Sequence, residues 1–94
     1  MAWYSKYLSI YGKNFNEVSN DIISETRERL AALQSEKPLA SIVVIAYNEE
    51  QHLQACLWAL SEIKCKYPIE IIGVDNDSKD RTAEIFEASG IPYY

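Results

Sequence analysis

The sequence predicts an α/β fold: a Rossmann-like, three-layer parallel sheet in the order β-α-β-α-β, preceded by an extra helix. Three observations carry the prediction. Two short apolar runs, at residues 42–45 and 69–74, are rich in β-branched side chains and too short to be ordinary helices. Each breaks off in a polar cluster, Tyr47-Asn48-Glu49 and Asp75-Asn76-Asp77. Each cluster is followed by apolar residues at helical spacing, and right-handed crossovers then make the strands parallel.

Composition allows such a core. Of 94 residues, 48% are hydrophobic, too many for a disordered tail and enough for one small domain. The net charge of −5 comes with scattered Lys and Arg, so the clustered basic footprint of a nucleic-acid binder is missing. Cys56 and Cys65 stand nine apart, which matches neither a redox pair nor a zinc site, and they read as buried or half-buried free thiols. Free thiols favour a reducing compartment. His52 is the single histidine and reads as a helix-face residue, not a ligand. No apolar run approaches the ~20 residues of a membrane span, and no signal-peptide pattern opens the chain. Cytoplasmic placement is the expectation, with peripheral membrane attachment open to a longer form.

Residues 1–38 divide into an aromatic leader and a helix. Trp3, Tyr4, Tyr7, Leu8 and Tyr11 would share one helical face. That face is either a docking surface or a leader packed on its own domain. Residues 14–34 read as an amphipathic helix through Phe15, Val18, Ile22, Leu30 and Leu33, with Thr26 in the gap. Asn14 and Glu17 resemble a capping box, Glu25 and Arg29 are set for an i,i+4 pair, and Pro38 stops the helix.

The second part, residues 39–94, carries the fold. Residues 40–46 form a strand that is apolar on both faces, as expected of one covered by helices on both sides. Asn48 looks like an N-cap for a helix whose inner stripe is Leu53, Leu57, Leu60 and Ile63, joined by Cys56. Residues 69–74 form the second strand. Ser78 is placed to cap a helix over residues 79–89, with Ala83, Ile85, Phe86 and Ala88 inward. Gly90 suits a left-handed helix end, and residues 91–94 look like the start of a third strand.

In a parallel sheet the polar clusters sit at the carboxyl ends of the strands, where open α/β folds bind ligands. Tyr47, Glu49, Asp75, Asn76 and Ser78 should therefore meet at one rim. An aromatic wall and a carboxylate there can hold a base, and the N–H groups after Asn48 and Asp77 could meet phosphate. The plainer alternative is that Asn48, Asp77 and Ser78 only cap helices.

At these residues the sequence resembles the amino-terminal half of family 2 glycosyltransferases with the GT-A fold. The pattern is an apolar strand, Tyr47-Asn48-Glu49, an amphipathic helix, then an apolar strand running into Val74, Asp75, Asn76, Ser78, Asp80 and Thr82. The resemblance covers about residues 40–94 and leaves 1–38 aside. It implies a domain that binds a nucleotide-diphospho-sugar, commonly a UDP- or GDP-sugar, and passes the sugar to an acceptor. By position, Ile45, Ala46, Tyr47 and Glu49 would line the nucleoside pocket, and Asp75 or Asn76 would face the base. Ala46 stands where many members have Pro, and Asn76 where many have a second Asp.

Asp75-Asn76-Asp77 also spells Asp-x-Asp, the form of the family's metal motif. The resemblance puts that motif after a later strand, so Mn²⁺ or Mg²⁺ is expected in a full-length enzyme and not on these residues. The catalytic base would also come later, so no catalytic residue is assigned, and the chain is expected to be an inactive, truncated transferase domain. A missing neighbour strand would leave the edge of residues 42–45 open to a homodimer, or to coverage by residues 1–34. Two other classes fit parts of the sequence. An apolar strand ending in Asp-x-Asp also begins aspartate-nucleophile phosphatases, although Lys79 stands where Thr or Val is wanted. A Rossmann-like interaction module without turnover is the other.

Overall fold

The β-branched runs form the two strands of a parallel sheet in the computed structural model, which describes residues 4–94. Strand β1 is Ala40–Ala46 and β2 is Ile69–Asp75, paired from Ala40 opposite Ile69 to Ala46 opposite Asp75. The segment after Gly90 begins a third strand on the far edge of β2. Gly73 N–H donates to Pro92 O at 2.8 Å, Tyr94 N–H to Gly73 O at 3.0 Å, and Asp75 N–H to Tyr94 O at 2.8 Å. The β-α-β-α-β order is therefore that of an α/β fold.

Among the described residues four α-helices accompany the sheet: α1 (Tyr4–Ile10), α2 (Asn20–Leu33), α3 (Leu53–Ser61) and α4 (Thr82–Ser89). Trp3 of the aromatic leader lies outside the described residues. The helix expected over residues 14–34 is split. Phe15–Glu17 make one 3-10 turn, closed by Asn14 N–H donating to the Glu17 carboxylate at 2.8 Å. Val18 is then extended, and Ser19 caps α2 by accepting from Ile22 N–H at 3.3 Å. Ser19 is the better cap, and it takes over the start. Thr26 fills the stripe fully buried, its hydroxyl satisfied by donating to Ile22 O at 2.8 Å.

The core lies on one side of the sheet. Leu30 of α2, Leu53 and Leu57 of α3, and Ile85 and Phe86 of α4 pack with Ile71, Ala46 and Ile91, flanked by Ile42 and Val44. The opposite face does not match the expectation of helices on both sides. Val43 is 52% exposed and Ile45 71%, beside the half-buried Ile72 and Val74. Right-handed crossovers between strands added in one direction put both connecting helices on the same face. The described residues thus form two of the three expected layers, and the body is 17 Å across its shortest axis.

The N-terminal part is fastened to this core rather than to the free edge of β1. A second cluster joins Ile10 of α1 and Val18 to Ala55 and Trp58 of α3. Glu25 pairs with Arg29 at 2.9 Å, as the spacing predicts, and also with Lys6 at 3.2 Å, while Arg29 reaches Glu62. At the end of α2, Gln34 lies along the outer edge of β2. Its side-chain Oε1 accepts from Ile71 N–H at 2.7 Å and its Nε2 donates to Ile71 O at 2.9 Å. Ser35 N–H donates to Ile69 O at 2.9 Å. The amide of Gln34 thus stands in for a peptide group, and the described residues 4–34 do not provide the predicted cover for β1.

Candidate functional site

The two strand ends lie side by side. Register puts Ala46 opposite Asp75, and Asn76 N–H donates to Ala46 O at 2.8 Å. The side chains that follow therefore start from one rim, as the sequence predicts. Tyr47 is 54% exposed, Asn76 is exposed, and Glu49, Asp75 and Ser78 are half-buried.

Past the rim, the two loops are laced together by the residues of the second motif. Asn48 N–H donates to Ser78 Oγ at 2.9 Å, Glu49 N–H to Thr82 Oγ1 at 2.9 Å, and Glu50 N–H to Asp80 Oδ2 at 3.2 Å. In return, Lys79 N–H donates to Asn48 Oδ1 at 2.7 Å. Asp75 Oδ1 accepts from Ser78 N–H at 3.2 Å, and Asp80 Oδ1 accepts from Thr82 N–H at 2.9 Å. Thr82 is fully buried and donates its hydroxyl to the same Asp80 oxygen. Burial alone would raise the Asp80 carboxyl pKa. The bonds from Thr82 and from Glu50 N–H outweigh it and hold the group below the ordinary carboxylate value.

This lacing corrects two expectations. The N–H groups after Asn48 are taken by side chains of the other loop, so they are not a ready phosphate cradle. Asn48 and Ser78 are also not helix caps. Asn48 has φ 52°, in the left-handed region that Asn tolerates, and α3 starts only at Leu53. Asp77 takes a similar turn at φ 58°, and α4 begins at Thr82 rather than at 79. The inward face of α4 is Thr82, Ile85, Phe86 and Ser89, with Ala83 and Ala88 half-buried.

Beside the rim runs an open groove of about 480 Å³ between β1 and α3, lined by Val44, Ile45, Ala46, Tyr47, Glu49, His52, Leu53 and Cys56. Ile45, Ala46, Tyr47 and Glu49 thus share one depression, while Asp75, Asn76 and Ser78 stand outside its lining. Ala46 itself is 3% exposed, so it offers backbone more than side chain. Glu49 Oε2 lies 2.8 Å from His52 Nδ1. The carboxylate oxygen accepts this bond in the tautomer that carries hydrogen on Nδ1. His52 in turn stacks on Tyr11, with centroids 4.7 Å apart. Neither Tyr11 nor His52 was expected at the site. Their separation in sequence hides the pairing, and only the aromatic face of the leader hinted at it.

Cys56 and Cys65 are both exposed, not buried, because α3 turns Cys56 toward the groove and Cys65 follows its end. Enough protein still packs around Cys56 to push its thiol above the ordinary range. A divalent metal does not fit the Asp75-Asn76-Asp77 turn. Asp75 spends an oxygen on Ser78 N–H, and Asp77 points outward, 87% exposed, with Lys79 Nζ 3.2 Å away. Among the described residues no three His, Cys, Asp or Glu side chains come together to hold a metal ion. None of the described helices is long and apolar enough to cross a membrane.

The family model described as glycosyl transferase family 2 matches residues 41–91, more than half of the chain and all of both laced loops. The chain is 39% identical over 54 residues to a protein named glycosyltransferase AglE from Haloferax volcanii. That match takes in 56% of this chain and 18% of the relative, so the chain spans less than a fifth of that protein's length. No solved structure matches the chain.

Proposed function

Because the chain belongs to the family 2 glycosyltransferases, we propose that its paired strand ends hold the nucleoside of a nucleotide-diphospho-sugar, in a protein that transfers the sugar to an acceptor. The observation that carries this reading is the shared rim: Ala46 opposite Asp75, with Tyr47, Glu49, Asp75 and Asn76 following from the two ends. Tyr47 would give the base or ribose a flat apolar wall. Glu49 would accept from ribose hydroxyls or base N–H groups, and Asp75 with Asn76 would read the base edge, uridine or guanosine. Ile45 and Ala46 would contribute the floor. Ser78, Asp80, Thr82 and Asn48 would keep the two loops in register.

The metal that the family commonly uses would be held by residues other than Asp75 and Asp77. This chain is proposed to bind a nucleoside diphosphate weakly and to transfer no sugar by itself. The free edge of β1, with Val43 and Ile45 exposed beside it, invites self-association or cover by further protein. Cytoplasmic placement, suggested by two free thiols, belongs to the same proposal.

Titration of the chain with UDP and GDP, followed by amide NMR shifts, tests the reading. Shifts should cluster at residues 45–49 and 75–78 for one of the two, and Tyr47→Ala should weaken binding about ten-fold, the order expected for a lost stacking partner. Saturable binding elsewhere, or none, would leave a non-catalytic module as the better account.

A further inference from the structure

We infer that residues 11–15, which precede the family-matched part, buttress the loop that carries Glu49, and that Tyr11, acting through His52, is the positioning residue for Glu49. The inference rests on the nucleotide reading above and extends it to a segment outside the shared motif. The contact is made almost residue by residue. The Tyr11 ring stacks on His52 at 4.7 Å with 28° between planes. Gly12 N–H donates to Gln51 O at 2.7 Å, Gln51 Nε2 donates to Asn14 Oδ1 at 3.2 Å, and Phe15 N–H donates to Glu50 Oε2 at 3.1 Å. Each of Glu50, Gln51 and His52 is therefore held from the N-terminal side, while their neighbours Asn48 and Glu49 are held through backbone from the 78–82 loop.

Two features make this segment a fixed support. Ile10, just before it, is 3% exposed in the cluster with Ala55 and Trp58, which fixes the end of α1 against α3. Gly12 then takes φ +83°, a turn that other residues rarely adopt, and sends the chain along the loop. Glu49 needs such help. Its side chain is 45% exposed and has three rotatable bonds, so a free carboxylate would sample many rotamers. The bond from His52 Nδ1 holds one oxygen, and the Tyr11 stack fixes the plane of the imidazole that makes it. The carboxylate then meets a ligand in one orientation, at lower entropic cost.

The test is a set of UDP and GDP titrations on the full chain with Tyr11→Ala, Tyr11→Phe, His52→Ala, Glu49→Ala and the Tyr11→Ala/Glu49→Ala double variant. Thermal melts check that each is folded. Tyr11→Ala and His52→Ala should each weaken the preferred diphosphate by about three- to ten-fold, the scale of one hydrogen bond. Tyr11→Phe should recover most of the loss, since the stack needs the ring and not the hydroxyl. In the Glu49→Ala background, Tyr11→Ala should add almost nothing, which a merely structural role would not produce. Loss on Glu49→Ala with no response to Tyr11→Ala, or with additive losses, would overturn this inference alone. A chain that binds neither diphosphate, or binds as well after Glu49→Ala, would overturn the donor-site reading and this inference together.

Discussion

Replacing Gln34 with alanine removes both hydrogen bonds by which its amide pairs with Ile71, at 2.7 and 2.9 Å. The strand edge keeps its neighbouring contact from Ser35 N–H to Ile69 O, so water gains only limited access to Ile71, whose residue is fully buried. Two net hydrogen bonds contribute about 1 kcal/mol each, and a strand N–H and C=O left partly dry add to the loss. The expected cost is about 2–4 kcal/mol, a large share of the ~5–15 kcal/mol that holds a typical domain. For a chain of this size that lowers Tm by roughly 10–25 °C. Urea unfolding followed by circular dichroism measures it directly, and the midpoint should fall with little change in slope. Gln34→Glu sharpens the test. It keeps an acceptor for Ile71 N–H but sets a second oxygen against Ile71 O, so the neutral acid is favoured in the folded state. The folded pKa of the introduced carboxyl is therefore raised, and the variant should gain stability relative to Gln34→Ala as pH falls toward about 4. A midpoint shift under about 0.5 kcal/mol for Gln34→Ala, or no pH response for Gln34→Glu, would mean that the amide does not act as part of the sheet.

Two further substitutions probe the core and the laced loops. A Cβ on Gly73 would lie 2.5 Å from Cδ1 and Cε1 of Phe86, so Gly73→Ala should cost about 1–3 kcal/mol by overpacking. Phe86→Leu should relieve part of that in the double variant; strict additivity in urea midpoints would argue against the contact. Asp80 has its pKa depressed in the folded state, so its contribution is present above the unfolded carboxylate value, about 3.9, and is lost as pH falls through the folded one. Asp80→Asn should lower stability at neutral pH and flatten the acid limb below about pH 5, and an unchanged limb would show that the lacing bonds do not form.

The parts of this fold that the sequence announced are those set by local rules. β1 falls on residues 40–46 because four consecutive β-branched residues leave no good helical alternative. Gly90 ends α4 at φ 77° because a left-handed residue is what that position requires. The parts that stayed hidden depend on partners far away in the chain. Gln34 is the last residue of the predicted helix, and it reads as an edge-strand surrogate only once Ile71 is beside it. Asn48 and Ser78 have the residue types of helix caps, and nothing local distinguishes a cap from a tie to a loop 30 residues away. The uncovered sheet face was missed for a related reason. An apolar strand run signals burial on both faces but does not say which element supplies each cover.

The lacing also bears on how such a site can be read. Eight polar residues stand at or just past the two strand ends in the shared pattern, and their spacing alone does not divide those that could face a ligand from those that hold the loops. Ser78, Asp80 and Thr82 instead spend their oxygens on the N–H groups of Asn48, Glu50 and Glu49. That leaves the Tyr47, Glu49 and Asn76 side chains, together with part of Asp75, as the groups that project beyond the lacing. The division follows from the backbone. A sharp turn after a buried strand exposes donors that must be satisfied, and the neighbouring loop is the nearest source of acceptors. Side chains used in this way fix the distance between the two strand ends to within a hydrogen bond. The groups proposed to face a ligand are then presented by a frame that cannot widen on one side without breaking bonds on the other. Under the proposed function the second motif would act on a ligand mainly through the first, by holding Tyr47 and Glu49 where Asp75 and Asn76 could reach the same molecule.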